Sequence, residues 1–427
     1  MPMAKECERC AILAILEKRI EEQTKRIEEL EKRLLAYENA HTPPSRKGWR
    51  NHYPKREKSG NKVGAPLGHV GATRPQPKPT ETKALELSFC PDCKQELGVP
   101  LRMERRVIEE IPNPQPLRVI EFLVPHYRCK KCKKEVIASH PELPKEGRLG
   151  NNLQAQIVLA KQEDRLTSRK IAQQLNREYN LDLSSATILD VQERVAEQLE
   201  PDYKKIKIGI KKSKTANADE TGSKLNGLKH WLWLFMSQTS VLFVFHKRRE
   251  SKVVKEILGK EYQGVLTCDG LKAYKRVIKI IQRCWAHLLR DAKFLAQKYE
   301  GQARVLYNSL CELFEKVKTK SIEFETAVAQ MRMFFGIAKS HKELRKIAVL
   351  LENGLEDWFT CLRHEGIELT NNRAERQLRE FVVQRKIYPT FRSEKGMETA
   401  QILMSVLATW KLQGKNPLQM LKLRLSS

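Results

Sequence analysis

At 427 residues, 41% of them hydrophobic, the chain is too long for one core, so several folded units joined by connecting segments are expected. Lysine and arginine number 79 against 52 acids, a net charge of +27, and such an excess favours a polyanion, nucleic acid first, because binding phosphates releases counterions. No run of about 18 apolar residues spans a bilayer and no signal segment opens the chain, which excludes a membrane partner and predicts a cytoplasmic, nucleoid-associated protein.

Residues 1–40 carry a seven-residue repeat, with Leu13, Ile20, Ile27 and Leu34 at one seam position and Leu16, Gln23, Leu30 and Tyr37 at the other. Four heptads flanked by Glu, Lys and Arg predict a coiled-coil helix that pairs with a second copy, Gln23 helping to fix register. A homodimer or higher assembly follows; a helix docked on its own protein is the rival. In the segment 41–80, twelve of forty residues are Gly or Pro and nine are Lys or Arg against the single acid Glu57. That composition is a basic flexible linker, either a solvated tether or a DNA-tracking arm. The glycines from Gly64 to Gly71 lack the Gly-Lys-Ser/Thr ending of a phosphate loop, so no nucleotide site is read there.

Six of the ten cysteines fall in three C-x-x-C pairs. Cys90-Pro-Asp-Cys93 and Cys129-Lys-Lys-Cys132, with 35 residues between them, supply four thiolates for one tetrahedral structural zinc. Strands are expected between them at Val107–Ile111 and Leu117–Val124, so residues 81–145 read as a zinc-ribbon DNA-binding domain that needs its metal to fold. A redox-active pair is the minor reading. Cys7 and Cys10 have no partner knuckle nearby.

Residues 151–200 have helical periodicity, within a helix-turn-helix-like segment set at 146–200. Ser168–Tyr179, a short Asn-Leu-Asp-Leu link and Ser184–Arg194 have the form of a helix-turn-helix, which would set Ser184, Ser185 and Thr187 near base edges. A plain helical hairpin explains the same pattern.

From 201 to 427 the apolar pattern turns to short runs. Strands are expected at Thr215–Asp219, His230–Met236 and Val241–Phe245, a helix at Ser251–Leu258, then strands at Gly264–Asp269 and Ile278–Cys284. The order βββαβαβ is the ribonuclease-H plan, in which the first and fourth strands lie side by side and bring Asp219 and Asp269 together. Two hard oxygen donors there suit magnesium or manganese. Phosphoryl transfer on DNA needs a pair of such metals, and Glu375 in Asn371-Asn-Arg-Ala-Glu375-Arg-Gln-Leu-Arg379 is the candidate third acid, with Arg379 one turn further along the same face. Each acid has a plainer reading. Asp269-Gly270 could be a turn, Glu220 could replace Asp219, and Glu375 could close a capping box with Asn372. Cys284-Trp-Ala-His287 is half a zinc site by spacing, but no second half follows; His287 is read as an active-site auxiliary, a proton carrier or hydrogen-bond donor, against a purely structural histidine.

These residues carry a resemblance. The coiled-coil start, Gly64–Gly71, Tyr127-Arg-Cys129-Lys-Lys-Cys132, Asp219-Glu-Thr221, Trp231-Leu-Trp233, Asp269-Gly270, Cys284-Trp-Ala-His287, Asn371-Asn-Arg-Ala-Glu-Arg376 and Arg385-Lys386 together resemble the insertion-sequence-66 transposases of the DDE class. The resemblance runs nearly end to end; Leu271 departs from it, where the family usually has Tyr. It implies that Asp219, Asp269 and Glu375 are the catalytic triad of a DNA transposase, and that element ends are cut and joined to target DNA. It also implies a helical insertion at about 288–369, in keeping with 49 residues between the two aspartates and 105 between Asp269 and Glu375.

The expected whole is a multidomain α+β protein: coiled coil, zinc ribbon, helix-turn-helix-like segment and ribonuclease-H-like core with a helical insertion. Its cofactors are two Mg2+ or Mn2+ ions per active site, held by Asp219, Asp269 and Glu375, and one structural Zn2+ on Cys90, Cys93, Cys129 and Cys132. Arg376, Arg379, Arg385 and Lys386 would bind phosphates of terminal inverted repeats and target DNA, and accessory proteins of the same element are further partners. The rival functions are a ribonuclease-H-like nuclease without strand transfer and a non-catalytic DNA-binding relic or repressor.

Overall fold

A computed structural model describes residues 16–30, most positions between 78 and 108, and 117–426 apart from Glu300. Leu13, Leu34 and Tyr37 of the expected seam, Cys7, Cys10, Cys90 and the linker to position 77 lie outside the described residues. Two compact units emerge, one of residues 42–116 and one of residues 1–41 with 117–427. Residues 16–30 form helix α1, on which Leu16, Ile20, Ile27 and Leu30 are each 48–63% exposed.

The two C-x-x-C segments adopt the same local turn, each within its own unit. Phe89 bridges Glu96 in antiparallel sense around Cys93, and Lys94 takes φ +61°. Strand β1 (His126–Arg128) pairs with β2 (Glu135–Ile137), Arg128 opposite Glu135, around Cys129 and Cys132, and Lys133 takes φ +57°. In both, the residue before the first cysteine pairs with the seventh residue along from it, and the left-handed residue follows the second cysteine directly. The strand expected at Leu117–Val124 is not one, and Val107 and Ile108 are also outside any strand. Val119 and Leu123 are each 87% exposed, so among the described residues no layer covers that side of the segment, and pairing survives only where the turn enforces it.

Helices α2 (Asn151–Gln162), α3 (Ser168–Tyr179) and α4 (Ser185–Lys211) follow. Thr167 caps α3 by accepting from the Lys170 amide, Asn180 ends it in the left-handed conformation, and Ser184 caps α4 by accepting from the Thr187 amide. Pro201 does not end α4, contrary to the change of structure expected there. A proline inside a helix, through its missing hydrogen bond and its ring clash together, costs about 3 kcal/mol, whereas each fully buried large apolar side chain contributes about 1.5–3 kcal/mol. Val191, Val195, Leu199, Tyr203, Ile206 and Ile210 keep helical spacing straight through the proline and are all buried. The expected domain boundary at 200/201 therefore falls inside a helix, and α2–α4 share one core with the sheet that follows.

That sheet comprises β3 (Thr215–Leu225), β4 (Leu228–Met236), β5 (Val241–His246), β6 (Val265–Cys268) and β7 (Ile281–Arg283), in the order β5-β4-β3-β6-β7. β3, β4 and β5 are an antiparallel meander, and β6 and β7 add in parallel sense beside β3. Asn226 and Gly227 both have positive φ, as the tight β3–β4 hairpin requires. α5 (Ser251–Leu258) and α6 (Lys272–Lys275) fill the crossovers. One face of the sheet carries Ala216, Ala218, Trp233 and Phe235 in the core shared with α4 and α5. The opposite face packs Leu232, Leu234 and Phe243 against Ala374, Leu378 and Phe381 of α12 (Asn372–Ile387).

The helix-rich residues between β7 and α12 hold α7 (Trp285–Lys298), α8 (Gln302–Lys318), α9 (Phe324–Ser340), α10 (Arg345–Glu352) and α11 (Thr360–Arg363), which enclose a separate core around Trp285, Leu310, Trp358 and Phe359. After α12 come α13 (Glu394–Leu412) and α14 (Pro417–Leu425). α13 closes the sheet edge: Thr409, Ser405 and Gln401 accept from the amides of Val241, Phe243 and Phe245 at 2.9, 2.9 and 2.8 Å. Four helical residues advance about 6 Å and two strand residues about 6.7 Å, so the repeats stay in step along β5. No helix among the described residues is long and apolar enough to cross a membrane.

Candidate active site

The pleat of β3 separates its two adjacent acids. Asp219 pairs with Leu234 and Glu220 with Trp233; cross-strand partners share a face, so Asp219 lies on the α12 side and Glu220 on the other. Glu220 is fully engaged there. Its side chain is 1% exposed, forms an ion pair with Arg249 and accepts from the Tyr274 hydroxyl at 2.5 Å. Asp219 accepts from the Glu220 amide at 2.9 Å and has no cation paired with it among the described residues.

β3 and β6 are in register at Asn217 and Thr267. Asp219 stands two residues beyond Asn217 within β3, and Asp269 two residues beyond Thr267, just past the end of β6, on neighbouring strands that lie about 4.8 Å apart in a regular sheet. Asp269 turns the chain after β6 by accepting from the Leu271 amide at 2.9 Å, and its other oxygen lies 3.9 Å from Arg249. Arg249 also stacks on Trp231, 5.0 Å from the ring centre. Gly270 is needed for space, since its φ is not positive. A Cβ there would come 2.3 Å from the Arg283 guanidinium, which is buried, stacks 4.3 Å over Trp358 and donates to the Leu350 carbonyl at 2.5 Å. The Asp269 turn is thereby packed against the helical insertion.

Glu375 comes from the first turn of α12. Its neighbours are His287 of α7, with Nε2 3.6 Å from Oε1, and Arg290, 3.7 Å from Oε2. The capping-box alternative is not formed, because α12 begins at Asn371 without a side-chain cap and Glu375 Oε1 is buried with no hydrogen-bond partner. Asn371 instead knits three elements together. Its side chain donates to the Ala218 carbonyl at 2.8 Å and accepts from Asn217 at 3.3 Å, and its amide donates to Cys284 Sγ at 3.1 Å.

The acids sense one another. Burial, then the charges of Glu220, Asp269 and Glu375, push the Asp219 carboxyl up to about 8. Burial and Asp269 raise Glu220 as well, against the opposing pull of Arg249. Like charges this close cannot all ionise in a poorly hydrated site without a cation among them. A cavity of about 550 Å³ opens on the cluster, lined by Asp219, Glu220, Thr221, Asn372, Glu375, Arg376 and Arg379.

The expected phosphate contacts divide. Arg376 and Arg379 are exposed on this cavity, and Lys386 is exposed at the end of α12. Arg385 is turned inward, where it donates to the Thr221 hydroxyl at 2.9 Å and to the Gly222 carbonyl. Ser184 and Thr187 bond each other in the α4 cap, while Ser185 is exposed beside them. Arg249, Tyr274, Arg283 and Asn371 were not singled out from the sequence. Asn371 alone had a local signal, its place at the head of the Asn-Asn-Arg-Ala-Glu run.

The donor chemistry fits divalent metal. Asp219 and Asp269 offer hard oxygens from adjacent strands, Glu375 brings a buried oxygen without a hydrogen bond, and burial with neighbouring acids raises the Asp219 carboxyl, a crowding that a cation would relieve.

These features define an α+β protein with a partly buried acid cluster around the central strand of its sheet, overlooked by a helix that bears exposed arginines. Comparison with known sequences makes the assignment specific. The sequence model of the transposase IS66 family matches residues 146–399, more than half of the chain, and the chain belongs to that family. The chain is similar to a protein of Sinorhizobium fredii (strain NBRC 101917 / NGR234) named uncharacterized protein y4hP, with 23% identity over 364 residues, 73% of this chain and 65% of that relative. It thus spans just under two thirds of the relative's length.

Proposed function

We propose that the chain is a DDE-type DNA transposase that cuts insertion-element ends and joins them to target DNA, with Asp219, Asp269 and Glu375 as its catalytic acids. The observation that carries this reading is the convergence of three acids from β3, the end of β6 and the start of α12, with Asp219 raised to about 8 by burial and by its acidic neighbours. The strand order β5-β4-β3-β6-β7 supports a ribonuclease-H-like core. Asp219 and Asp269 would hold two Mg2+ or Mn2+ ions, with Glu375 completing the second position. Bound there, such ions activate a water or 3′-hydroxyl and stabilise the leaving oxygen.

The surrounding side chains orient and neutralise. Glu220 and Trp231 hold Arg249 beside Asp269, Asn371 fixes α12 against β3, and Arg376 and Arg379 bind phosphates at the cavity mouth. His287, next to Glu375, carries a proton or donates a hydrogen bond near the scissile phosphate.

The remaining parts serve DNA handling. The matching turns at Cys93 and at Cys129–Cys132 support a zinc ribbon over 81–145, the exposed apolar stripe of α1 supports a coiled-coil dimer that holds two ends, and α3–α4 support a helix-turn-helix-like reader with Ser184, Ser185 and Thr187 at its leading end. The partners are then terminal inverted repeats, target DNA, a second copy of the chain and accessory proteins of the element, in the cytoplasm at the nucleoid.

Purified protein given pre-cleaved ends and a plasmid should form joined products in magnesium. Asp269→Asn should abolish nicking and joining while DNA binding in calcium persists, and cleavage surviving in that variant rules the mechanism out. About one zinc per chain, lost on replacing Cys129, is expected of the ribbon.

A further inference from the structure

Cys284 and His287 have the spacing of half a metal site, and the fold supplies the missing part from a distant helix. Cys284 Sγ, a His287 ring nitrogen and a Glu375 carboxylate oxygen all lie within 4.8 Å of one another. Cys284 immediately precedes α7 and His287 sits in its first turn, so a three-residue spacing puts both on one side of the helix start. The His287–Glu375 separation of 3.6 Å is close to the edge of a tetrahedron with zinc–ligand bonds of about 2.0–2.1 Å.

Beyond the geometry, one further observation points to a cation. Glu375 Oε1 is buried without a hydrogen bond, and such an oxygen is costly unless something positive meets it. The buried Cys284 sulfur accepts the Asn371 amide at 3.1 Å, which fixes it beside His287 at the start of α7. A sulfur, an imidazole and one carboxylate also differ in kind from the Asp219–Asp269 oxygens. They select zinc, cobalt or cadmium over magnesium.

We propose that Cys284, His287 and Glu375 form a three-donor site for a thiophilic divalent cation, separate from the Asp219–Asp269 pair and sharing Glu375 with it. Three protein ligands leave a fourth position open. Binding at this site does not depend on the catalytic reading of the acids. If that reading also holds, occupation draws Glu375 away from the magnesium site.

The test is cobalt(II) titration of full-length, metal-stripped protein, with bound metal counted by equilibrium dialysis. Wild type is expected to take up one more cobalt per chain than Cys284→Ser, and the difference spectrum should show a thiolate-to-cobalt charge-transfer band. Knuckle cysteines and the aspartate pair are common to both proteins and cancel. His287→Gln, which leaves the buried thiol in place, should weaken the same increment at least about tenfold, and it decides the matter if Cys284→Ser does not fold. Equal uptake by wild type and Cys284→Ser, a difference spectrum without the band, or unchanged affinity in His287→Gln would overturn the proposal. Because no DNA is present, a chain that fails to cleave or join DNA leaves this outcome untouched.

Discussion

The Asn371 side-chain amide donates to the Ala218 carbonyl at 2.8 Å, one residue before Asp219. Through that bond the helix bearing Glu375 is registered on the strand bearing Asp219, and the buried side chain has no water to replace it. Asn371→Ala leaves both the Ala218 carbonyl and the Asn217 amide short of a partner. The expected loss is about 1–3 kcal/mol of stability, together with a higher magnesium requirement for cleavage, since the third acid is no longer held in place. Chemical denaturation and a magnesium titration measure the two effects. An unchanged magnesium midpoint would mean that Asn371 does not position the acids.

Asp219 and Glu220, adjacent in sequence, should respond in opposite ways to neutralisation. Asp219→Asn removes a charge crowded by three other carboxylates and keeps an oxygen to accept the Glu220 amide. Cleavage should vanish while the metal-free protein melts at the same or a higher temperature at about pH 8. Glu220→Gln leaves Arg249 without its nearest counter-ion, only the Asp269 oxygen at 3.9 Å remaining among the described residues. A fully buried pair broken in this way costs about 3–5 kcal/mol; Arg249 is 37% exposed, so solvent reduces the expected loss to about 1–3 kcal/mol. Destabilisation by Asp219→Asn with none by Glu220→Gln would reverse the roles assigned to the two residues.

The acid cluster also gives the metal-free protein a definite pH dependence. Asp219 titrates at 3.8 as a free side chain and at about 8 in the folded protein. Between those values the folded state keeps a proton that the unfolded chain has released, so stability falls as pH rises through that window and levels off above about 8, with a slope of up to about 1.4 kcal/mol per pH unit for one proton. Burial raises Glu220 as well, which adds to the same trend. Magnesium competes with the proton, so its stabilising effect should grow over the same range. Melting temperatures in EDTA and in magnesium at stepped pH test this, and a metal-free protein that gains stability toward alkaline pH would refute it.

The sequence exposed the strands because their apolar runs are short and bounded, and it exposed Asp219 and Asp269 because each lies at or near the end of such a run. It left the contest between Asp219 and Glu220 open, since only the pairing of Glu220 with Trp233 decides which acid faces α12. Arg249 and Tyr274 come to Glu220 from 29 and 54 residues away, and no local pattern marks either. Gly270 looked like a turn residue, but its reason is the Arg283 guanidinium, visible only in three dimensions. The change to short runs expected from 201 comes later in the fold, because a buried face carries α4 past Pro201. The strand expected at Leu117–Val124 failed for the converse reason: alternation is present, but Val119 and Leu123 on one side of it stay exposed.

Four cations near the end of the chain were read alike as phosphate ligands, and the fold separates them. Arg379 is exposed on the cavity beside Asp219 and Glu375, with its charge turned to solvent. Arg385 is committed to Thr221 and Gly222 on β3. Replacing Arg379 by Gln should leave the melting temperature unchanged and weaken DNA binding across sequences, lowering the slope of log affinity against log salt by about 1. Arg385→Gln should do the reverse. Its guanidinium already spends its bonds within the protein, so the loss of two or more partly buried hydrogen bonds at about 1 kcal/mol each should appear as lower stability with little change in the salt slope. The two variants measured side by side, by thermal denaturation and by DNA binding at several salt concentrations, separate a phosphate contact from a strut. A full unit of salt slope lost with Arg385 would show that this side chain leaves β3 to meet DNA.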